Sequence, residues 1–207
     1  MKLIDSINQL KKTETAKEIA KKITDFENIG KKSSKAIYLE LCYCLLTANF
    51  NAKKSVEIQK NIGTGFATFS LETLSLKLKE FGHRFPNTRA NFIYLSRKYK
   101  NNIKEKLLEN KIDLEKREWL VKNIKGLGYK EASHFLRNIG YKEFAIIDFH
   151  IVDILVENKL ITKPKTLTKT KYLEIEKILK KLGKKVNLNL AELDLYLWFL
   201  ETKKIYK

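Results

Sequence analysis

The sequence predicts an all-α protein, and three observations predict it. Its 207 residues are 43% hydrophobic, which is enough to bury a real core in one domain or two small ones. Only two prolines and eight glycines punctuate the chain, whereas an all-β protein needs turn signals every ~8 to 12 residues. Long stretches instead carry apolar residues at helical spacing. Helices are expected throughout, with no internal repeat or low-complexity linker between them.

The first helix covers roughly residues 2 to 27, with an interruption near Thr13, and GKKSS at 30–34 leads out of it. KAIYLELCYCLLTANF follows, apolar on every side, as a helix at the centre of a core must be. Amphipathic segments at about 52–62, 70–80, 87–99 and 102–109 are separated by GTG and by GHRFPN at 82–87. The segment 113–124 sets Leu120, Val121 and Ile124 on one side, with Asp113 as its expected N-cap. KGLG at 125–128 breaks it. From Tyr129 the apolar positions Ala132, Phe135, Leu136 and Ile139 recur at helical spacing until Gly140 stops the run. The chain is helical again after Asp148 to about 158, and ITKPKTLTKT is a loop. Helices at about 171–182 and 188–201 close the fold, the last anchored by Leu190, Leu193, Leu197 and Leu200. Only AII before Asp148 could be mistaken for a strand.

The charge balance selects a class of partner. Lys and Arg number 42 against 24 Asp and Glu, a formal charge of +18, and such an excess attracts polyanions, nucleic acid foremost. A Lys-rich composition can also reflect general residue usage, so charge alone identifies only a class. Cys42 and Cys44, two apart, point away from each other on a helix. Together with His83, His134 and His150, which show no ligand spacing, they build neither a zinc site nor an iron-sulfur cluster. The amino terminus lacks a signal-peptide core and no segment approaches the ~20 apolar residues of a membrane span. A soluble, cytoplasmic, DNA-associated monomer without membrane contact is expected.

LVKNIKGLGYKEASHFL carries the chemistry: two short helices joined by a Gly-x-Gly turn present amides and a helix N-terminus that suit a DNA phosphate. A lone Gly-x-Gly can equally be an ordinary helix connection with a glycine C-cap. Lys130 stands two residues after Gly128, at the start of the second helix, where the positive end of the dipole disfavours an ammonium and suits a nucleophilic amine. Alone it reads as a solvated or phosphate-binding charge. Asp148 lies among Phe144, Ala145, Ile146, Ile147 and Phe149, a setting in which a carboxylate needs a purpose. It can cap the next helix. It can also stay ionised to stabilise a developing sugar cation and accept a proton.

With these residues in place the sequence resembles the helix-hairpin-helix DNA glycosylases. Their bifunctional members carry Gly-x-Gly-x-Lys followed by Asp-x-His, here Gly126, Gly128, Lys130, Asp148 and His150. The resemblance extends to the small archaeal 8-oxoguanine DNA glycosylases through LCYCLLTANF, GHRF, NIKGLGYKEASHFLRNIGY, AIIDFHI and LDLYLWFLETKKIYK. One departure stands out: that family typically reads Asp-Arg-His where this chain has Asp148, Phe149 and His150, so the arginine's phosphate or structural contact is not carried over, while Asp148 and His150 keep their places. The cluster-bearing endonuclease III branch is disfavoured by the missing C-terminal cysteines, and the adenine-specific branch by the presence of the lysine.

The resemblance implies a two-lobed helical fold with a DNA-binding cleft between the lobes. One lobe is 36–149, including the helix-hairpin-helix at 113–139; the other is 1–35 plus 150–207. It implies a bifunctional glycosylase and AP lyase that flips 8-oxoguanine out of double-stranded DNA, acts also at abasic sites, and requires no cofactor. Lys130 would be the nucleophile, Asp148 the stabilising carboxylate, and Gly126, Gly128 and His150 DNA contacts. The backbone carbonyls of Lys122, Ile124 and Leu127 would hold a monovalent cation. For the flipped base the candidates are Phe85, Trp198, Asn49, Asp194 and Lys207. Phe85 and Trp198 can instead be core residues, and Asn49 and Asp194 caps or solvated groups. Two other functions remain open at this point: a glycosylase for oxidised pyrimidines, and a non-catalytic DNA-gripping module.

Overall fold

The computed structural model describes residues 2–205, and no strand occurs among them. Among the described residues there are thirteen α-helices: α1 Lys2–Leu10, α2 Glu14–Lys31, α3 Ser34–Thr47, α4 Ala52–Ile62, α5 Gly65–Thr68, α6 Leu71–Glu80, α7 Pro86–Ser96, α8 Ile103–Glu109, α9 Asp113–Asn123, α10 Tyr129–Asn138, α11 Phe149–Glu157, α12 Lys169–Val186 and α13 Leu190–Thr202. A 3₁₀ turn, Arg97–Tyr99, follows α7. The expected break near Thr13 separates α1 from α2. Where a single GTG separator was expected, residues 65–68 form the short helix α5, because one helical turn needs no apolar period to announce it.

The chain divides into two compact units, one made of residues up to Asn28 together with Leu136–Ile205, the other of Ile29–Phe135. The sequence reading placed these divisions at 35/36 and 149/150. In the structure the chain passes between units inside α2 and α10, and a continuous helix leaves no compositional mark at such a point.

The Ile29–Phe135 unit is built around α3. Leu41, Cys42, Tyr43, Cys44, Leu45 and Leu46 are wholly enclosed, which is why this helix is apolar on every face, and α4, α7 and α8 pack against it. Its polar atoms are satisfied from those neighbours: Tyr38 donates to the Ile93 carbonyl at 3.0 Å, and Gln59 to the Leu39 carbonyl at 2.7 Å. Burial pushes the Cys42 thiol up to about 12, so Cys42 is an inert packing residue, and Cys44 is enclosed with it.

Helix starts follow side-chain chemistry. Asn51, Ser70 and Thr168 each accept the N–H three residues on, Pro86 opens α7, and Asn189 with Glu192 forms a reciprocal capping box at 3.0 Å each way. Asp113 departs from expectation. Ile112 is the N-cap of α9, and Asp113 is the first helical residue, ion-paired to Lys116 at 3.2 Å. Glu115 supplies the missing cap by accepting the Ile112 N–H at 3.4 Å.

In the other unit α13 packs on α1, α11 and α12. Leu190, Leu193 and Leu197 are buried and Leu200 is half-buried. Gly140 ends the run of α10 with φ +95, and a Cβ there would stand 3.0 Å from the backbone Cα of Glu27. Both the left-handed conformation and the contact forbid a side chain. Gly140→Ala should therefore lower stability by about 1–3 kcal/mol, measured as a shift of the urea midpoint at unchanged slope.

Candidate active site

In the Ile29–Phe135 unit the site begins with the turn between α9 and α10. Ile124 closes α9 through its N–H to the Leu120 carbonyl at 2.9 Å, and the Leu127 N–H returns to the Ile124 carbonyl at 3.2 Å. Gly126 has φ +93, and a Cβ on it would enter the Phe92 ring at 2.2 Å. The turn thus lies flat on an aromatic of α7. The two helices are fastened by Tyr129, whose hydroxyl donates to Glu118 and whose ring faces Arg117 at 5.1 Å, and by buried Arg117 donating to Ser133 at 3.2 Å.

Lys130 occupies the first turn of α10 with 28% of its side chain exposed. Its Nζ lies 3.9 Å from Oε1 of Glu131, whose other oxygen accepts the Gly128 N–H at 3.2 Å. Glu131 is thus a helix-capping residue whose carboxylate also faces the amine. Sequence reasoning missed it, although Gly128-x-x-Glu131 has the spacing of a capping box without its usual Ser or Thr.

Two base-recognition candidates belong to the same unit. Asn49 is exposed at φ +55 in the turn after α3, a left-handed position that asparagine tolerates. Phe85 is 37% exposed, so it is a surface aromatic and not a core one. Arg84 and Arg89 stand over its ring at 5.1 and 5.8 Å. Its N–H donates to Nδ1 of His83 at 3.0 Å. Arg89 is nearly buried and donates to the Ala48 carbonyl at 2.5 Å. Burial depresses its pKa, and the carboxylate of Glu131 acts the other way.

In the unit that contains α11, Asp148 is half-buried and caps that helix, accepting the Ile151 N–H at 3.0 Å. The buried segment before it belongs to no helix, and two side chains of α12 bond its backbone. Tyr172 accepts the Ile147 N–H at 3.2 Å and donates to the Ala145 carbonyl at 2.6 Å, while Glu176 accepts the Ala145 N–H at 3.0 Å. These supports were invisible in the sequence because they lie 25 or more residues away. His150 stacks on Phe149 at 4.0 Å, meets Trp198 edge-on at 5.4 Å, and has Nδ1 3.7 Å from Glu201. Phe149, at the place of the family arginine, is 69% exposed and brings an apolar ring where a cation was expected.

Trp198 is half-buried, and its enclosed Nε1 finds no acceptor among the described residues. Asp194 accepts from Arg137 at 3.0 Å in a largely buried ion pair, and Arg137 also covers the Phe26 ring at 4.7 Å. That structural engagement, and not solvation or helix capping, is where the fold places Asp194. Lys207 lies outside the described residues.

The family model for 8-oxoguanine DNA glycosylase matches residues 19–188. The 8-oxoguanine DNA glycosylase/AP lyase of Methanocaldococcus jannaschii is 51% identical, the match covering 100% of both chains. That of Korarchaeum cryptofilum is 44% identical over 99% of this chain and 98% of its own. The crystal structure of the Methanocaldococcus jannaschii enzyme in complex with a 15mer DNA containing 8-oxoguanine superposes with a TM-score of 0.97, covering all of both chains. The 8-oxoguanine DNA glycosylase of Thermotoga maritima gives a TM-score of 0.93 at 37% identity, covering 100% of this chain and 99% of its own.

The Arg137–Asp194 pair generates a test of its own. Removing one partner of a buried pair leaves the other charge uncompensated, so Asp194→Ala should cost about 3 kcal/mol or more in unfolding free energy, read by urea denaturation. A stability change under about 0.5 kcal/mol, the range of ordinary surface substitutions, would show the pair to be dispensable.

Proposed function

The chain belongs to the helix-hairpin-helix 8-oxoguanine DNA glycosylase family, and on that footing we propose Lys130 as its nucleophile and Asp148 as its stabilising carboxylate. It is an 8-oxoguanine DNA glycosylase/AP lyase acting in DNA base excision repair. The observation that carries the assignment of Lys130 is its station on the first turn of α10, directly after the Gly126–Gly128 turn. A hairpin amide and a helix N-terminus that suit a DNA phosphate set the amine beside the backbone whose sugar it is to attack.

In the proposed reaction the Lys130 amine attacks C1′ of the lesion's sugar, and the bond to the base breaks with its electron pair leaving on 8-oxoguanine, which takes up a proton. The nitrogen gives one of its two protons to Asp148, its lone pair then opens the sugar ring as O4′ takes up a proton, and an iminium that keeps the other N–H links Lys130 to C1′. Loss of a C2′ proton then expels the 3′ phosphate and nicks the strand. Asp148 stabilises the cationic sugar and accepts the amine's proton. The cap from Ile151 holds its carboxylate at the start of α11.

Gly126, Gly128 and His150 are proposed to contact the DNA backbone, with Phe85, Trp198, Asn49, Asp194 and Lys207 at the base. In the free protein Glu131 accepts the Gly128 amide, so phosphate binding at that amide displaces or rearranges the carboxylate. A monovalent cation at the carbonyls of Lys122, Ile124 and Leu127 belongs to the same proposal. Oxygen donors suit a hard cation, which would place positive charge beside a phosphate. The lysine chemistry itself needs no redox group, so no cofactor is proposed. No described helix is long and apolar enough to cross a membrane; a cytoplasmic monomer is proposed.

Lys130→Gln should abolish borohydride trapping and strand cleavage while retaining DNA affinity, because it removes the amine and leaves the hairpin intact. Full activity in that variant would end the covalent mechanism. Run on DNA containing either 8-oxoguanine or thymine glycol, the same trapping separates a purine-lesion enzyme from a pyrimidine-lesion one. Binding should also weaken with salt, log affinity falling by about 0.9 per neutralised phosphate for each unit of log salt. A flat response in fluorescence anisotropy would contradict a phosphate-gripping hairpin.

A further inference from the structure

His83 is buried, with only 4% of its surface exposed, yet both ring nitrogens are engaged. Nε2 lies 3.1 Å from the Leu46 carbonyl, which can only accept, and Nδ1 accepts the Phe85 N–H at 3.0 Å. These partners dictate one tautomer, the neutral ring with its proton on Nε2. The face of the ring is also used, stacked on Phe50 at 4.1 Å. The residues on either side of Asn49 are therefore held from the 82–86 loop and α7: Leu46 and Phe50 by His83, and Ala48 by Arg89.

We propose that His83 is a positioning residue for base recognition. Its Nε2–H tautomer ties the Asn49 turn to the Phe85 backbone, so excision of the oxidised base depends on it more strongly than Schiff-base formation at a sugar that has no base. The inference rests on the reading of Phe85 and Asn49 as base-contacting residues. It concerns a group that touches neither base nor sugar and acts through the placement of those that do.

A chemical consequence follows. Protonation would put a hydrogen on Nδ1 facing the Phe85 N–H, two donors where one bond stood. Burial holds the His83 pKa below its ordinary value, the bond to Leu46 opposing that and the charge of Arg89 adding to it. The charges around the ring are cationic: Arg89 from α7, Arg84 next in the chain, and Lys54 from α4, whose Nζ stands 3.6 Å from where a Cβ on Gly82 would lie. A depressed histidine keeps its neutral form through neutral pH and loses it as pH falls through the folded-state value. The clamp is thus intact at neutral pH and opens in acid.

The test compares single-turnover excision of 8-oxoguanine with borohydride trapping on DNA carrying a preformed abasic site. His83→Leu removes both polar contacts, and His83→Asn keeps an acceptor close to the position of Nδ1 and does not titrate. The ratio of excision to trapping should fall about tenfold or more in His83→Leu, as expected for a misplaced recognition group, and be partly restored in His83→Asn, which keeps the bond to Phe85 and loses the one to Leu46. On lowering the pH the ratio should fall in the unmodified enzyme and stay level in His83→Asn. Equal losses on both substrates, or an unchanged ratio in His83→Leu, would overturn the proposal. If His83→Leu does not fold by circular dichroism, the pH comparison decides, and parallel profiles overturn it. Phe85→Leu is assayed alongside. Normal excision there would overturn the reading of Phe85 itself, while impaired excision there with an unchanged ratio in His83→Leu would overturn the clamp alone.

Discussion

The space between Gly126 and the Phe92 ring is the constraint on which the rest of the hairpin depends. Only a residue with no Cβ fits against that ring, and only a glycine readily adopts φ +93 there. With the turn pressed onto α7, the Gly128 amide points at Glu131, α10 is capped, and Lys130 falls on its first turn. Phe92 is itself held: the guanidinium of Arg89 stands 5.7 Å from its ring and 5.8 Å from that of Phe85. One nearly buried arginine therefore supports both the hairpin turn and the surface aromatic, and its bond to the Ala48 carbonyl adds the Asn49 turn to the same assembly.

Asp148 is placed by a different device. Residues 144–147 are buried without belonging to a helix or a sheet, so their amides and carbonyls need other partners. Tyr172 and Glu176, one turn apart on α12, supply them. The carboxylate then leaves the segment at the start of α11, where its role as a cap fixes its direction. Capping and catalysis do not compete here, because the bond from the Ile151 amide orients the carboxylate in advance.

What the sequence revealed and what it hid differ in range. Helical periods located the core helix α3, the glycine stop at Gly140 and the cap at Asp148, since each depends on residues within a turn or two. The Gly126-x-Gly128-x-Lys130 pattern was legible for the same reason. Asp113 was misread as a cap because the choice between it and Ile112 turns on one residue's backbone angles. The bonds that His83, Arg89, Tyr172 and Glu176 make to residues 25 to 41 positions away gave no signal. Asp194 shows the limit from the other side: it stood among the candidates for the flipped base, and its ion pair with Arg137, 57 residues distant, could not be seen.

The central claim is that the hairpin lysine, and no other amine in this lysine-rich chain, bonds to the sugar. Reduction of the enzyme on DNA containing 8-oxoguanine, followed by proteolysis and mass spectrometry, locates the adduct directly. The account predicts a deoxyribose remnant on the peptide carrying Lys130 and on no other. An adduct on the amino terminus or on any other lysine would contradict it.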